Sequence, residues 1–182
     1  MAKSLKHLSD DDLLVAAFTA AQTNQHQLAI KHFKEAIRRD PADPFAYLEM
    51  AKCYFTTDRP EQAGKCLDKV ANFANSDAEL LLPLAAAYQT ARNYQGAINA
   101  MQQAEKIPRL KITALTRQAE IFELSNRLDE AWETIKKTEQ ENSPPTAAIL
   151  AIKAKRHRRQ GEYPEAKLIL ENLLAQSENL NP

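Results

Sequence analysis

Ten alanines stand in a fixed register along this chain, and that register constrains the fold more than any other feature. Ala17, Ala51, Ala85, Ala119 and Ala154 recur every 34 residues, with one step of 35. Ala29, Ala63, Ala97, Ala131 and Ala166 each follow a member of the first set by 12 residues. Apolar residues around them keep helical spacing. In the stretch 80–108, Leu81, Leu84, Ala85 and Tyr88 precede a polar break at Arg92–Asn93, and Ala97, Met101 and Ala104 follow it. The stretch reads as two helices folded back on one another. Helix axes about 8–10 Å apart leave room for little more than a methyl at the crossing. A repeated alanine at that point predicts stacked copies of one hairpin. A single alanine-rich bundle has no need for such a register.

Local signals mark the hairpins. Ser9 precedes Asp10, Asp11 and Asp12, so its hydroxyl is placed to cap the first helix, with Asp12 as a shortened capping box. The three carboxylates oppose the positive end of the helix dipole, which accounts for them without a metal. Asp40–Pro41 ends the second helix, because proline disfavours helical geometry in the residue before it. Corners are expected at 22–27, at Asp58–Arg59–Pro60, at Ser125–Asn126 and at Gly161, and Ser143–Pro144–Pro145 closes another hairpin. At the corner position that favours left-handed backbone, Asn24, Asp58, Asn126 and Gly161 are suited. Arg92 is not, which predicts a shift of that corner to Asn93.

This pattern resembles the tetratricopeptide repeat family. The family places a small residue at position 8 and alanine at position 20, and all ten such positions here are alanine. Position 11, a large aromatic in the family, is Tyr54, Tyr88 and Phe122 in the middle copies, with Ala20 and His157 at the ends. The resemblance implies an all-α fold, a right-handed α-solenoid of five helix-turn-helix repeats. The expected organisation is a tail at 1–9 and a single domain at 10–180, with repeats 10–43, 44–77, 78–111, 112–145 and 147–180.

Composition narrows the function. Acidic and basic residues balance, with 24 of each, so no global basic field exists to attract nucleic acid. Three glycines in 182 residues favour helix nearly throughout. Cys53 and Cys66 read as reduced thiols in helices. The start, MAKSLKHLSDDD, lacks the apolar core of a secretory signal, and no run is long enough to span a bilayer. A cytoplasmic protein is expected. His7, His26, His32 and His157 are scattered without metal-ligand spacing, and no glycine-rich phosphate loop occurs. Neither catalysis nor a cofactor nor a metal is expected.

The resemblance implies that the first helix of each repeat lines a concave groove that holds a protein or peptide partner. The groove positions carried over are Leu14 and Phe18, then Phe45, Leu48, Lys52 and Phe55, then Leu82 and Gln89. Further along they are Thr116, Glu120 and Glu123, then Lys155, Arg158 and Arg159. The first half is apolar and aromatic, suited to anchoring apolar side chains. The second half is charged, and its basic run either takes an anion or acidic peptide or is neutralised by Glu120 and Glu123. Some family members clamp a chaperone's carboxyl terminus with Lys and Asn in one repeat and Lys and Arg two repeats on. Leu14, Phe18, Glu79 and Pro83 occupy those places here, so that function is not carried over.

The last helix, 164–175, spreads its apolar residues beyond one stripe. A second copy, a partner or a following domain is expected to cover it. The stretch RRQGEYPEAKLILENLL also resembles the repeat region preceding the catalytic domain of bacterial repeat-linked sulfotransferases. That resemblance implies an alternative, a non-catalytic domain of a larger transferase.

Overall fold

A computed structural model describes residues 8–74, 77–141 and 144–178. The tail expected at 1–9 therefore lies mostly outside the described residues, as do His7 and Ser143. The described residues form ten α-helices and no strand. They are α1 (Asp10–Gln22), α2 (His26–Arg39), α3 (Pro44–Thr56), α4 (Pro60–Ala74) and α5 (Ala78–Thr90). Then come α6 (Tyr94–Glu105), α7 (Lys111–Leu124), α8 (Leu128–Gln140), α9 (Ala147–Gln160) and α10 (Tyr163–Glu178). A short 3-10 turn, Pro108–Leu110, leads into α7.

Helix starts follow side-chain chemistry. The Asp12 amide donates to the Ser9 hydroxyl at 3.1 Å, and that hydroxyl donates to the Asp12 carboxylate at 2.7 Å. Asp43 accepts from the amides of Phe45 and Ala46, with Pro44 in the first turn, where its missing N–H costs nothing. Asp77 caps α5 and Thr146 caps α9 in the same way. Helix α7 has no side-chain cap, and the 3-10 turn supplies its entry instead.

The corners are copies of one motif. Asn24, Asp58, Arg92, Asn126 and Gly161 all have positive φ, between 54° and 81°. After each, an amide reaches back to the carbonyl of Ala20, Tyr54, Tyr88, Phe122 or His157 at 2.8–2.9 Å. The left-handed residue itself donates to the carbonyl three residues back, which completes a Schellman cap. The corner expected to move to Asn93 stays at Arg92. Arg92 is held there because both cap bonds close, and the Asn93 side chain is free to accept from the Gly96 amide at 2.9 Å. A Cβ in left-handed geometry costs energy that glycine avoids. Arg92→Gly should raise the urea midpoint, with a gain of about 0.5–1 kcal/mol. A lowered midpoint would show that the arginine is not strained there.

The chain divides into two compact units, residues 1–103 and 104–182. In the first, α1 with α2 and α3 with α4 form hairpins, α2 packs on α3, α4 packs on α5, and α3 also touches α1 and α5. In the second, α7 with α8 and α9 with α10 form hairpins, and α7 packs on α9. All ten register alanines are buried, none more than 5% exposed. Tyr54, Tyr88 and Phe122 are buried as well. Tyr88 also explains Gly96, since a Cβ there would come within 2.9 Å of the tyrosine ring. In the second unit Ala119, Ile135 and Ile149 form a core on which Trp132 and Ile152 pack. On α10, Leu168, Leu170 and Leu174 are exposed.

An ion cluster closes the first hairpin. The Arg39 guanidinium donates to the Leu8 carbonyl at 2.8 Å, to Asp10 at 2.9 Å and to Glu35 at 3.1 Å. Arg38 donates twice to Glu35, at 2.9 and 2.7 Å. The bonds from Arg38 and then Arg39 hold the Glu35 carboxyl down at about 2. An acid depressed by folding stabilises the native state above its unfolded pKa, and the contribution fades as pH falls through the folded value. For Glu35 that window runs from about 4.3 down to about 2. NMR titration should place its midpoint near 2, and Arg38→Ala should move it up toward the ordinary glutamate range.

Candidate functional site

The first unit carries two adjoining hollows along its odd-numbered helices. One, of about 370 Å³, lies between α1 and α3 and is lined by Phe18, Gln22, His26, Glu49, Lys52 and Thr56. The next, of about 260 Å³, lies between α3 and α5 and is lined by Lys52, Phe55, Thr56, Pro83, Ala86 and Thr90. Lys52 and Thr56 belong to both, so the two form one trough. Phe18 is half-buried and sets its ring edge-on to Phe33, centroids 5.3 Å apart. Phe55 is half-buried too. Lys52 pairs with Glu49, so the charge in the trough is internally balanced. The Thr56 hydroxyl donates to the Lys52 carbonyl and the Thr90 hydroxyl to the Ala86 carbonyl. Both hydroxyls remain able to accept.

Other residues expected in the groove are placed differently. Leu48 is 2% exposed. Helix α3 is packed on by α1, α2, α4 and α5, which seals that position inside the first unit. Phe45 is 43% exposed on the first turn of α3 but lines neither hollow. Leu14, Leu82 and Gln89 are half-buried and also lie outside both linings. Thr116 is buried, and its hydroxyl has no partner among the described residues.

In the second unit a hollow of about 200 Å³ opens between α7, α8 and α9. Leu128, Ala131, Trp132 and Ile152 form its apolar surface. Lys155, Arg156 and Arg159 bring positive charge, and Glu123 and Asp129 bring negative charge. Glu123 is only 14% exposed and holds Lys155 at 3.2 Å and Arg159 at 3.9 Å. Expected groove residues Glu123, Lys155 and Arg159 thus meet in one place. Glu120 pairs with Arg117 at 3.4 Å instead, and exposed Arg158 lies outside this lining. Neutralisation of the basic run by α7 therefore comes from Glu123. The Arg156 guanidinium sits 3.7 Å from the centre of the Trp132 ring. Sequence reading passed over Trp132, Leu128 and Ile152, and it counted Arg156 in the basic run but not in the groove. The available signal was Leu128 and Trp132 one turn apart on one helix, with the chain's single tryptophan among them.

Elsewhere, Cys53 and Cys66 are free buried thiols, and burial pushes Cys66 up to about 11. His157 pairs with Glu162 at 2.6 Å. His32 is lowered by burial and then by Lys31. Among the described residues no cluster of three or more His, Cys, Asp or Glu could hold a metal ion. No described helix is long and apolar enough to cross a membrane.

Residues 20–87 match the tetratricopeptide repeat family. No curated protein matches the sequence. Among solved structures, MamA protein superposes with a TM-score of 0.71 at 20% identity, over 93% of this chain and 92% of that one. The chain folds as tetratricopeptide repeats. PilF of Pseudomonas aeruginosa aligns with a TM-score of 0.65 at 17% identity, covering 92% of this chain and 75% of that one. YrrB, described as a tetratricopeptide protein with an unusual peptide-binding site, gives 0.64 at 15% identity over 92% and 86%. Within the tetratricopeptide pattern, positions 8 and 20 are the buried alanines and position 15 is the left-handed corner residue. The trough then lies on the first helices of successive repeats in the first unit. Neither the family match nor these structures favours the transferase-domain alternative.

Proposed function

We propose that this tetratricopeptide-repeat chain is a cytoplasmic protein-interaction scaffold that holds an extended segment of a partner protein in the trough over α1, α3 and α5. The observation that carries this reading is the continuity of the two hollows through Lys52 and Thr56. Phe18 and Phe55 offer apolar area at low conformational cost, and the threonine oxygens offer acceptors to a backbone. The balanced Lys52–Glu49 pair leaves the trough without a strong preference for charge. The scaffold has no catalytic step and needs no cofactor. YrrB supports the reading as a protein of like fold that binds peptide.

The test is affinity capture with the full chain as bait and identification of what it holds. Phe18→Glu combined with Phe55→Glu should abolish capture of specific partners while leaving helicity by circular dichroism intact. Thr56→Arg is the second variant. Thr56 is exposed, so the larger side chain fills both hollows without entering the core. If both variants capture the same proteins as the native chain, the trough is not the binding surface.

A further inference from the structure

We infer that the hollow between α7, α8 and α9 is a second docking site, selective for a protein segment that presents an apolar side chain beside a carboxylate. The inference rests on the reading of this chain as a protein scaffold, but not on the trough of the first unit.

The argument is one of charge and shape. Three cations, Lys155, Arg156 and Arg159, face two carboxylates, Glu123 and Asp129. Asp129 sits in the first turn of α8, where the helix dipole already opposes its charge. Among the described residues Glu123 is the acid that serves both Lys155 and Arg159, and its contact with Arg159, at 3.9 Å, is too long to be a hydrogen bond. Lys155 and Arg159 are about half-exposed, at 50% and 48% of their side chains. They stand at the rim, oriented by the half-buried Glu123, with donors left for an incoming carboxylate. Inside the rim, Leu128 and Ile152 present apolar surface beside the edge of the Trp132 ring, and a hollow of about 200 Å³ accommodates one large side chain. The ligand that satisfies both parts is an apolar residue flanked by an acidic one.

Nucleic acid fits less well. Stacking needs an open aromatic face. Trp132 has one side on the core, and Arg156 lies over its ring at 3.7 Å.

Trp132 is the only tryptophan, so emission excited beyond the tyrosine absorption band reports on this hollow alone. Capped tripeptides serve as probes. Glu-Leu-Glu should shift Trp132 emission saturably and more weakly as salt rises. Lys-Leu-Lys and Glu-Ser-Glu should not. Lys155→Glu and Arg159→Glu should each weaken the Glu-Leu-Glu response roughly tenfold, because they set like charges against the probe. Arg158→Glu, on the same turn but outside the hollow, should change it much less. Phe18→Glu with Phe55→Glu should leave it untouched, so failure of the trough and failure of this site are separately visible. No response to Glu-Leu-Glu, an equal response to Lys-Leu-Lys, equal loss in all three charge variants, or a response to polyuridylate alone would each overturn the inference.

Discussion

Phe33→Ala should destabilise the first unit by about 3–5 kcal/mol, the largest loss expected from a single truncation in this chain. Phe33 is fully buried in α2, and its ring meets Phe18 of α1 at an interplanar angle of 87°. Truncation removes the transfer energy of the ring and leaves a cavity that the hairpin of α1 and α2 cannot close. It also removes the support behind Phe18, the aromatic wall of the trough, so partner capture should fall with stability. Phe33→Leu separates the two effects. It retains most of the volume and loses chiefly the edge-to-face contact, worth about 0.5–1.5 kcal/mol. Urea unfolding followed by circular dichroism measures both. A loss below about 1 kcal/mol for the alanine variant would mean that the pair does not anchor this hairpin.

Ala97→Leu should cost about 1–3 kcal/mol by the opposite mechanism, overpacking. Ala97 is completely buried in α6, the helix that follows the corner at Arg92. Leucine is the better helix former among large residues, so local propensity does not predict the loss. The cost comes from forcing helices apart at a crossing sized for a methyl. Ala97→Ser provides the comparison, since it preserves size. In a repeat architecture a displaced helix is felt first by its neighbours. Amide exchange should therefore quicken in α5 and α6 before the far hairpins respond. An unchanged urea midpoint for the leucine variant would contradict the assigned crossing.

Sequence reasoning recovered the parts of this protein that depend on neighbours a few residues away or on a repeated period. The Ser9 cap, the end of α2 before Asp40–Pro41 and the left-handed corner at Gly161 are satisfied by atoms within a few residues. The ten alanines are legible because every copy of the hairpin must make the same close approach, which imprints a period on the chain. The error at Arg92 shows the limit of that logic. Its intrinsic preference argues for a shift, but the amides of Arg92 and Asn93 both find carbonyls only if Arg92 itself turns left-handed.

The binding surfaces depended on packing between distant segments, and there the residue list alone was a poor guide. Leu48 and Phe55 stand on the same helix and look alike on a helical wheel. Helices converging on α3 bury the first and leave the second beside the trough. Likewise, the basic run of α9 is one sequence feature with several fates. Glu139 takes Lys153, Glu123 takes Lys155 and Arg159, Trp132 takes Arg156, and Glu162 takes His157. The amino-acid order by itself determined the hairpins, their corners and the small residues where they cross, because those are short-range or periodic demands. Which side chains remain open to a partner was decided only by tertiary structure, because burial and ion pairing are settled by whatever residue another helix brings alongside.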